Sequence, residues 1–324
     1  MRAIAYSHYG PPTVLRLAEV PKPVPADDEV LIQVRAVEAT KTDCELRSFR
    51  MAVKWFWLPL RLALGVTKPR RHILGGYFAG EVAAVGKSVQ TFAPGDEVFG
   101  STGLRMGAYA EFLTLRASAA IARKPKNMSF AEAAAVPFGG LNALHFMRAA
   151  RIRPGESVLI NGAGGSIGAH AVQIAKAMGA QVTAVDGAHK RNLTQLGADH
   201  FIDYACEDFT QLGRSWDVIF DMVPSSSYSA CIKALRPKGR YLSGNPRLSI
   251  MVRCMLTSKL TDKTASFAFA DESAEALQAL RELIERGDIK SIVDTEYPLT
   301  DAAIAHERVE REQRVGAIVL CLDA

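Results

Sequence analysis

The sequence predicts an α/β protein in which a doubly wound parallel sheet is joined to a β-rich domain. Three observations carry this. From Val158 onward short apolar strands alternate with helical segments, the signature of a parallel sheet with crossovers. Before residue 123 short strands are punctuated by glycine turns and helix is scarce. The chain also has 324 residues, enough for two domains.

The stretch Val158 to Asp186, VLINGAGGSIGAHAVQIAKAMGAQVTAVD, reads as strand, glycine turn, helix and second strand. Val158 to Ile160 is a continuous apolar run. Ala171, Ile174, Ala175 and Met178 share one side of a buried helix, and Gly179 stops it. Gly162, Gly165 and Gly168 stand three apart, a spacing that permits a tight turn, close approach of a pyrophosphate to the main chain, and close packing of helix on strand. The anion belongs at the helix N-terminus, where free N–H groups and the dipole favour negative charge. The turn residues Gly162, Ala163, Gly164, Gly165, Ser166, Ile167 and Gly168 are therefore candidate dinucleotide contacts. Asp186, eighteen positions after Gly168 at a strand end, is placed to accept from a ribose hydroxyl. Val223, Gly244 and Asn245 follow the ends of later strands, on the face where such sheets bind ligands.

Composition excludes several classes. With 48% hydrophobic and 23% charged residues and a net charge of +5, the chain has an ordinary globular balance. No long Lys/Arg run makes a nucleic-acid patch. Five cysteines, at 44, 206, 231, 254 and 321, form no CxxC pair and no zinc spacing with histidine, which predicts neither disulfides nor a structural metal and fits a reducing cytoplasm. MRAIAYSHYG opens directly in strand-like sequence without the apolar core of a signal peptide.

In the first half, Arg2 to Tyr6 and Val30 to Val37 read as strands flanking a proline-rich connection. Thr40 to Cys44 supplies hydroxyls and a carboxylate just after a strand, either to cap a helix or, through Thr42, to donate a proton or hydrogen bond to a substrate. Between Glu45 and Glu81 no acid occurs, while Arg50, Lys54, Arg61, Lys68, Arg70 and Arg71 interleave with aromatics and leucines. A cover over a substrate cleft, an interfacial membrane element and a partner-binding helix all fit residues 49–71. Pro59 interrupts a long amphipathic helix, which favours the cover. Trp55 to Val66 is too short to span a bilayer. Strands then recur from Ile73 to Leu115, including Ala108 to Leu115, and suggest a compact barrel-like domain.

After Lys124 the pattern turns helical, with a capped start at Ser129 and a second helix at Leu141 to Ala149. Six strands with helical crossovers follow, the last being Ala265 to Phe269. Residues 246–262 read as a loop. Ser273 to Glu285 is an amphipathic helix ended by Gly287, and a helix at Ala302 to Arg311 lies between strands at Asp294 to Leu299 and Ala317 to Leu322.

Along nearly its whole length the chain resembles the medium-chain dehydrogenase/reductases, and among them the zinc-free quinone oxidoreductases and enone reductases. The segments that carry the resemblance are Leu74 to Val82 (LGGYFAGEV), Phe92 to Gly100 (FAPGDEVFG), the glycine turn with its helix, residues 196–204 (LGADHFIDY) and residues 287–310. The resemblance implies a Rossmann domain at 124–269 and a GroES-like catalytic domain from 1–123 and 270–324. It implies hydride transfer between nicotinamide C4 and a quinone, enone or apolar carbonyl, in a cleft between the domains.

Zinc-using relatives hold the catalytic metal on Cys, His and Cys. Those positions align with Thr40, Gly76 and Phe138, which implies a metal-free enzyme that polarises its substrate by hydrogen bonds. Asn142 matches a position that fixes the nicotinamide, and Thr42 the proton-relay hydroxyl. Tyr77 is a second candidate donor, and enone reduction also proceeds with a proton from water. Asp186 favours NAD(H) over NADP(H), whereas Lys190 and Arg191 stand within chain reach of a 2′-phosphate. Relatives dimerise by pairing the last strand of the nucleotide sheet, so a homodimer is expected. A dinucleotide-binding redox sensor or membrane-surface protein with little turnover is the alternative reading of the same fold.

Overall fold

A computed structural model describes residues 1–51, 57–244, 247–268, 270, 272–312 and 314–322, and the side chains among these except those of 189–192. In chain order the first elements are β1 (Arg2–Ala5), β2 (Arg16–Glu19), β3 (Glu29–Ala39), α1 (Lys41–Ser48), α2 (Trp57–Leu64), β4 (Tyr77–Val85) and β5 (Glu97–Ser101). β6 (Phe112–Arg116), β7 (Ile121–Arg123), α3 (Phe130–Ala134) and α4 (Pro137–Ala150) follow. The middle of the chain is β8 (Ser157–Asn161), α5 (Ser166–Ala177), β9 (Gln181–Asp186), β10 (His200–Asp203), β11 (Trp216–Asp221), α6 (Tyr228–Lys233), β12 (Leu235–Ser243), α7 (Leu248–Leu260) and β13 (Thr264–Phe267). It closes with α8 (Ala274–Glu285), β14 (Val293–Pro298), α9 (Ala302–Glu310) and β15 (Ala317–Cys321).

Two compact units result: residues 1–141, 272–286 and 291–324 form one, and residues 142–271 with 287–290 the other. The first therefore runs 18 residues past the expected limit at 123, to Leu141. The reason is visible in α3, whose Ser129 cap and Glu132 form a capping box while Ala131, Ala133 and Ala134 are buried and pack on β3 and β4.

The first unit holds a seven-stranded sheet in the order β14-β15-β3-β4-β5-β7, with β6 also paired to β3, and a separate β1–β2 pair. Its core gathers Ile4, Ile32, Phe78, Tyr109 and Ile318. The second holds six parallel strands in the order β10-β9-β8-β11-β12-β13. A parallel strand covered on both faces must be apolar throughout, and Val158, Leu159 and Ile160 are each 0% exposed.

Several local expectations change. The link from β10 to β11 carries only a short 3-10 turn at Phe209–Gln211 instead of a full helical crossover. The segment from Ala188 to Leu196 is likewise 3-10. Residues 248–260, read as loop, form α7, with Leu248, Val252, Met255, Leu256 and Leu260 all exposed. Ile250 and Cys254 of the same helix face the core, so apolar residues lie on both sides and no one-sided period stands out in the sequence. β6 starts at Phe112 instead of Ala108, because Gly107 and Ala108 make a tight turn onto Leu74 and Gly75. Pro59 sits in the first turn of α2, where a missing N–H costs nothing. No helix of the described residues is long and apolar enough to cross a membrane.

Candidate functional site

In the parallel-sheet unit each glycine of the turn has a distinct job. Gly162 adopts φ +89°, which only glycine takes without strain. At Gly168 a Cβ would lie 2.3 Å from the Gly162 carbonyl oxygen, so the helix can pack this close only without a side chain. Around Gly165 the space is open, with nothing within 4 Å of the Cβ position. The turn is tied down by N–H groups of Gly162 and Ala163, which donate to the Val185 carbonyl at 3.0 and 3.2 Å.

Asp186 completes it. Its carboxylate accepts from the N–H of Gly164 at 2.7 Å and from that of Gly187 at 2.8 Å, and only 7% of the residue is exposed. The residue proposed to meet a ribose is thus also the clamp on the glycine turn.

What the clamp leaves over points to an anion. α5 begins at Ser166 with no side-chain cap on Gly165. The Ser166 hydroxyl is buried and has no hydrogen-bond partner. An unsatisfied buried hydroxyl is costly, and it sits here beside free helix-end N–H groups and an open glycine. A pyrophosphate fits all three features: its oxygens accept, and no Cβ blocks them.

The strand ends beyond the turn are polar. Asp221, at the end of β11, is buried and accepts from Asn161 Nδ2 (2.9 Å), the Val223 N–H (3.1 Å), the Tyr241 hydroxyl (2.9 Å) and the Ser226 hydroxyl. Asn161 and Asp221 meet because β8 and β11 pair them in register. The Gly244 N–H donates to the Asp221 carbonyl at 2.9 Å. A cavity of about 230 Å³ opens here, lined by Asp221, Val223, Ser226, Tyr241, Ser243 and Arg253 among others. Asn142 is half-buried on α4. Asn245 lies outside the described residues, as do the side chains of Lys190 and Arg191.

In the β-rich unit a second buried carboxylate organises the polar groups. Thr40 caps α1, and Asp43 closes a capping box on it: the Asp43 N–H donates to the Thr40 hydroxyl at 3.1 Å and the Thr40 N–H donates to the Asp43 carboxylate at 3.0 Å, while the Thr40 hydroxyl itself donates to that carboxylate at 2.5 Å. Asp43 also accepts from the Gly75 N–H at 3.0 Å. Burial pushes its carboxyl pKa up, and these hydrogen bonds oppose the shift. Thr42 is half-buried in the first turn of the same helix.

The three positions aligned with zinc ligands carry different chemistry. Thr40 spends its hydroxyl on Asp43, Gly76 has no side chain, and the Phe138 ring lies against Tyr77 with centroids 5.2 Å apart. Among the described residues no three His, Cys, Asp or Glu side chains converge as a metal set.

Tyr77 donates to Glu272 at 2.7 Å, and the Ser101 hydroxyl donates to the other carboxylate oxygen. β4 and β5 place Tyr77 directly opposite Ser101, so one carboxylate reaches both. Burial, then the Glu272 charge, pushes the phenol well above its ordinary range. Sequence reasoning missed Ser101 and Glu272; the only trace was the acidic pair Asp271-Glu272 just beyond the last strand of the parallel sheet.

In the same unit His306 is fully buried, with Tyr109 Oη 2.9 Å from Nε2 and Arg47 Nη1 3.4 Å from Nδ1. A guanidinium only donates, so Nδ1 accepts and Nε2–H faces the phenol. Burial, then the Arg47 charge, pushes His306 down to about 3.

Known proteins share this architecture. Residues 26–126 match the family described as alcohol dehydrogenase GroES-like domain, and residues 196–320 the one described as zinc-binding dehydrogenase. The quinone oxidoreductase of Pseudomonas aeruginosa is 30% identical, over 98% of this chain and 99% of its own. A 2-methylene-furan-3-one reductase of Solanum lycopersicum is 29% identical, over 99% of this chain and 79% of its own. Among solved structures, the quinone oxidoreductase from Coxiella burnetii superposes with a TM-score of 0.86 at 29% identity, covering 100% of this chain and 99% of that one.

Proposed function

The chain belongs to the quinone oxidoreductase branch of the medium-chain dehydrogenase/reductases, and from that premise we propose that it reduces quinones and enones, with NADH preferred and without a metal ion. The observation that carries the proposal is the glycine turn, with its open Gly165 and unpartnered Ser166 hydroxyl at an uncapped helix start. A nicotinamide dinucleotide supplies the hydride when bound. Ser166 and the α5 N–H groups would hold its pyrophosphate, and Asn142 would fix the nicotinamide ring.

Metal independence rests on side-chain chemistry. Thr40, Gly76 and Phe138 offer neither thiolate nor imidazole, so polarisation of the substrate falls to hydrogen bonds. Thr42 is the hydroxyl proposed for that contact. Tyr77 is a poor acid, because its proton is committed to Glu272 and its pKa is raised. The proton that completes enone reduction therefore comes from water in this reading.

The NADH preference follows from Asp186. A buried carboxylate repels a 2′-phosphate and accepts from a 2′-hydroxyl. The chain is further proposed to form a homodimer through β13, an edge strand of the parallel sheet, with the exposed stripe of α7 continuing that surface. All five cysteines are thiols, which fits a reducing cytoplasm.

The test is oxidation of NADH and of NADPH against a panel of quinones and enones, paired with metal analysis and light scattering. Turnover with NADH on at least one class, without stoichiometric zinc, is expected. Cofactor binding without turnover on any member would turn the reading toward a sensor, and bound zinc required for activity would defeat the metal-free mechanism.

A further inference from the structure

The segment around α2 presents two kinds of surface at once. Trp57, Leu58, Leu62 and Val66 are 43%, 59%, 58% and 54% exposed, and Leu58 and Leu62 lie one turn apart on the helix. Apolar side chains of this size left facing water in a contiguous patch mark an interaction site. No acid occurs between Glu45 and Glu81, and Arg50, Lys68, Arg70 and Arg71 are all exposed.

The basic residues bracket the apolar ones. Arg50 adjoins Phe49, whose ring packs edge-on against Trp57 at 6.1 Å. At the other end the Arg70 guanidinium donates to the Ala63 carbonyl at 3.3 Å, which draws it beside the last turn of α2, and Arg71 follows it in the chain. The helix is anchored from below, since the Arg61 guanidinium stacks over Tyr9 and Phe49 at 4.4 and 4.3 Å and the Tyr9 hydroxyl donates to the Gly65 carbonyl at 2.9 Å. The patch is therefore held outward on a fixed support.

We propose that this face docks the protein on an anionic phospholipid surface, with Trp57, Leu58 and Leu62 entering the headgroup boundary and Arg50, Lys68, Arg70 and Arg71 pairing with lipid phosphates. Charge complementarity selects the occupant: a patch with four exposed cations and no carboxylate in its stretch of chain suits a surface of fixed negative charge. Each cation near such a surface strengthens binding about fivefold, and salt screens the effect. The proposal rests on nothing in the reaction, so it stands or falls separately from the reductase reading.

The experiment is flotation of the full chain with vesicles of phosphatidylcholine alone or mixed with phosphatidylglycerol. Binding to the anionic vesicles, weakened by high salt, is expected. Arg70→Glu with Arg71→Glu should reduce it by about 25-fold or more. Leu58→Glu with Leu62→Glu should reduce it independently, and unchanged melting temperatures would show that both variants fold. Absence of binding, equal binding to neutral vesicles, or binding unaffected by either pair would overturn the proposal. Loss of vesicle binding in neither pair together with an altered substrate preference in both would assign the segment to the substrate cleft instead.

Discussion

Two buried carboxylates organise the two units, and they differ in what they leave over. Asp186 accepts the N–H groups of Gly164 and Gly187, and so fixes a turn whose next residues, Gly165 and Ser166, still have space and hydrogen-bonding capacity for a ligand. Asp43 accepts the Thr40 hydroxyl and the Gly75 N–H, and so ties up Thr40 and the neighbour of Gly76, Thr40 and Gly76 being two of the positions aligned above with zinc ligands. The same device builds a receptive cradle in one unit and a closed network in the other. An internal carboxylate therefore reports organisation; the donors it does not use report binding.

The sharpest way to break this contrast is at the turn itself. Gly168→Val would drive a side chain into the Gly162 carbonyl, costing about 1–3 kcal/mol of stability and at least about 100-fold in cofactor affinity. Gly165→Ala meets no protein atom, so its melting temperature should hold while its cofactor dissociation constant rises. Calorimetric titration beside thermal melts separates the two. Equal losses of stability would show that Gly165 is structural as well.

Next in size is the pair of carboxylates. Asp186→Ser should shift the NADPH-to-NADH ratio of kcat/KM upward by roughly tenfold or more, since one buried negative charge is removed. Stability should also fall by about 1–2 kcal/mol as Gly164 and Gly187 lose an acceptor. Asp43→Asn should cost at least as much stability and leave cofactor preference untouched. A change of cofactor preference in the Asp43→Asn variant would end the proposed division of labour.

Ser166→Ala is the test with opposite signs. Removing a buried hydroxyl that has no partner should leave the unliganded protein unchanged or more stable by up to about 1 kcal/mol. Cofactor binding should weaken roughly tenfold if that hydroxyl meets a phosphate oxygen. A weaker unliganded protein with unchanged affinity would remove Ser166 from the cradle.

These residues also mark how far sequence could be read. The glycine turn was legible because spacing, a preceding strand and a following helix all constrain the same backbone. Thr40 and Asp43 were legible as a helix cap for the same local reason. Ser101 and Glu272 are 171 positions apart in the chain. Their meeting depends on the β4–β5 register and on the return of the chain into the first unit, and no local pattern encodes that. The helix at 248–260 was missed because it is apolar on both sides, Ile250 and Cys254 facing the core and Leu248, Val252 and Met255 facing solvent, so no one-sided period stands out.

The two units also differ in their buried histidines. His306 in the β-rich unit is held neutral by burial and by Arg47, with a pKa pushed down to about 3, and burial also lowers His170 on α5. A depressed imidazole means that the unfolded chain binds the proton more readily. The contribution of His306 is therefore complete above the ordinary imidazole value of 6.5 and is lost as pH falls from there toward 3, by up to about 1.4 kcal/mol per pH unit, and that of His170 has the same sign. Asp43 acts with the opposite sign, because its raised carboxyl is protonated more readily in the folded state, so its term favours acid and weakens as pH rises above the ordinary carboxyl value of 3.8. His306→Gln should be less stable than the parent at neutral pH, where the Tyr109 and Arg47 contacts are disturbed. Its melting temperature should fall less steeply between about pH 6.5 and 4.5, so the two curves converge toward acid. Parallel curves across that range would show that His306 is not held neutral, and would leave His170 to account for any acid sensitivity of the parent.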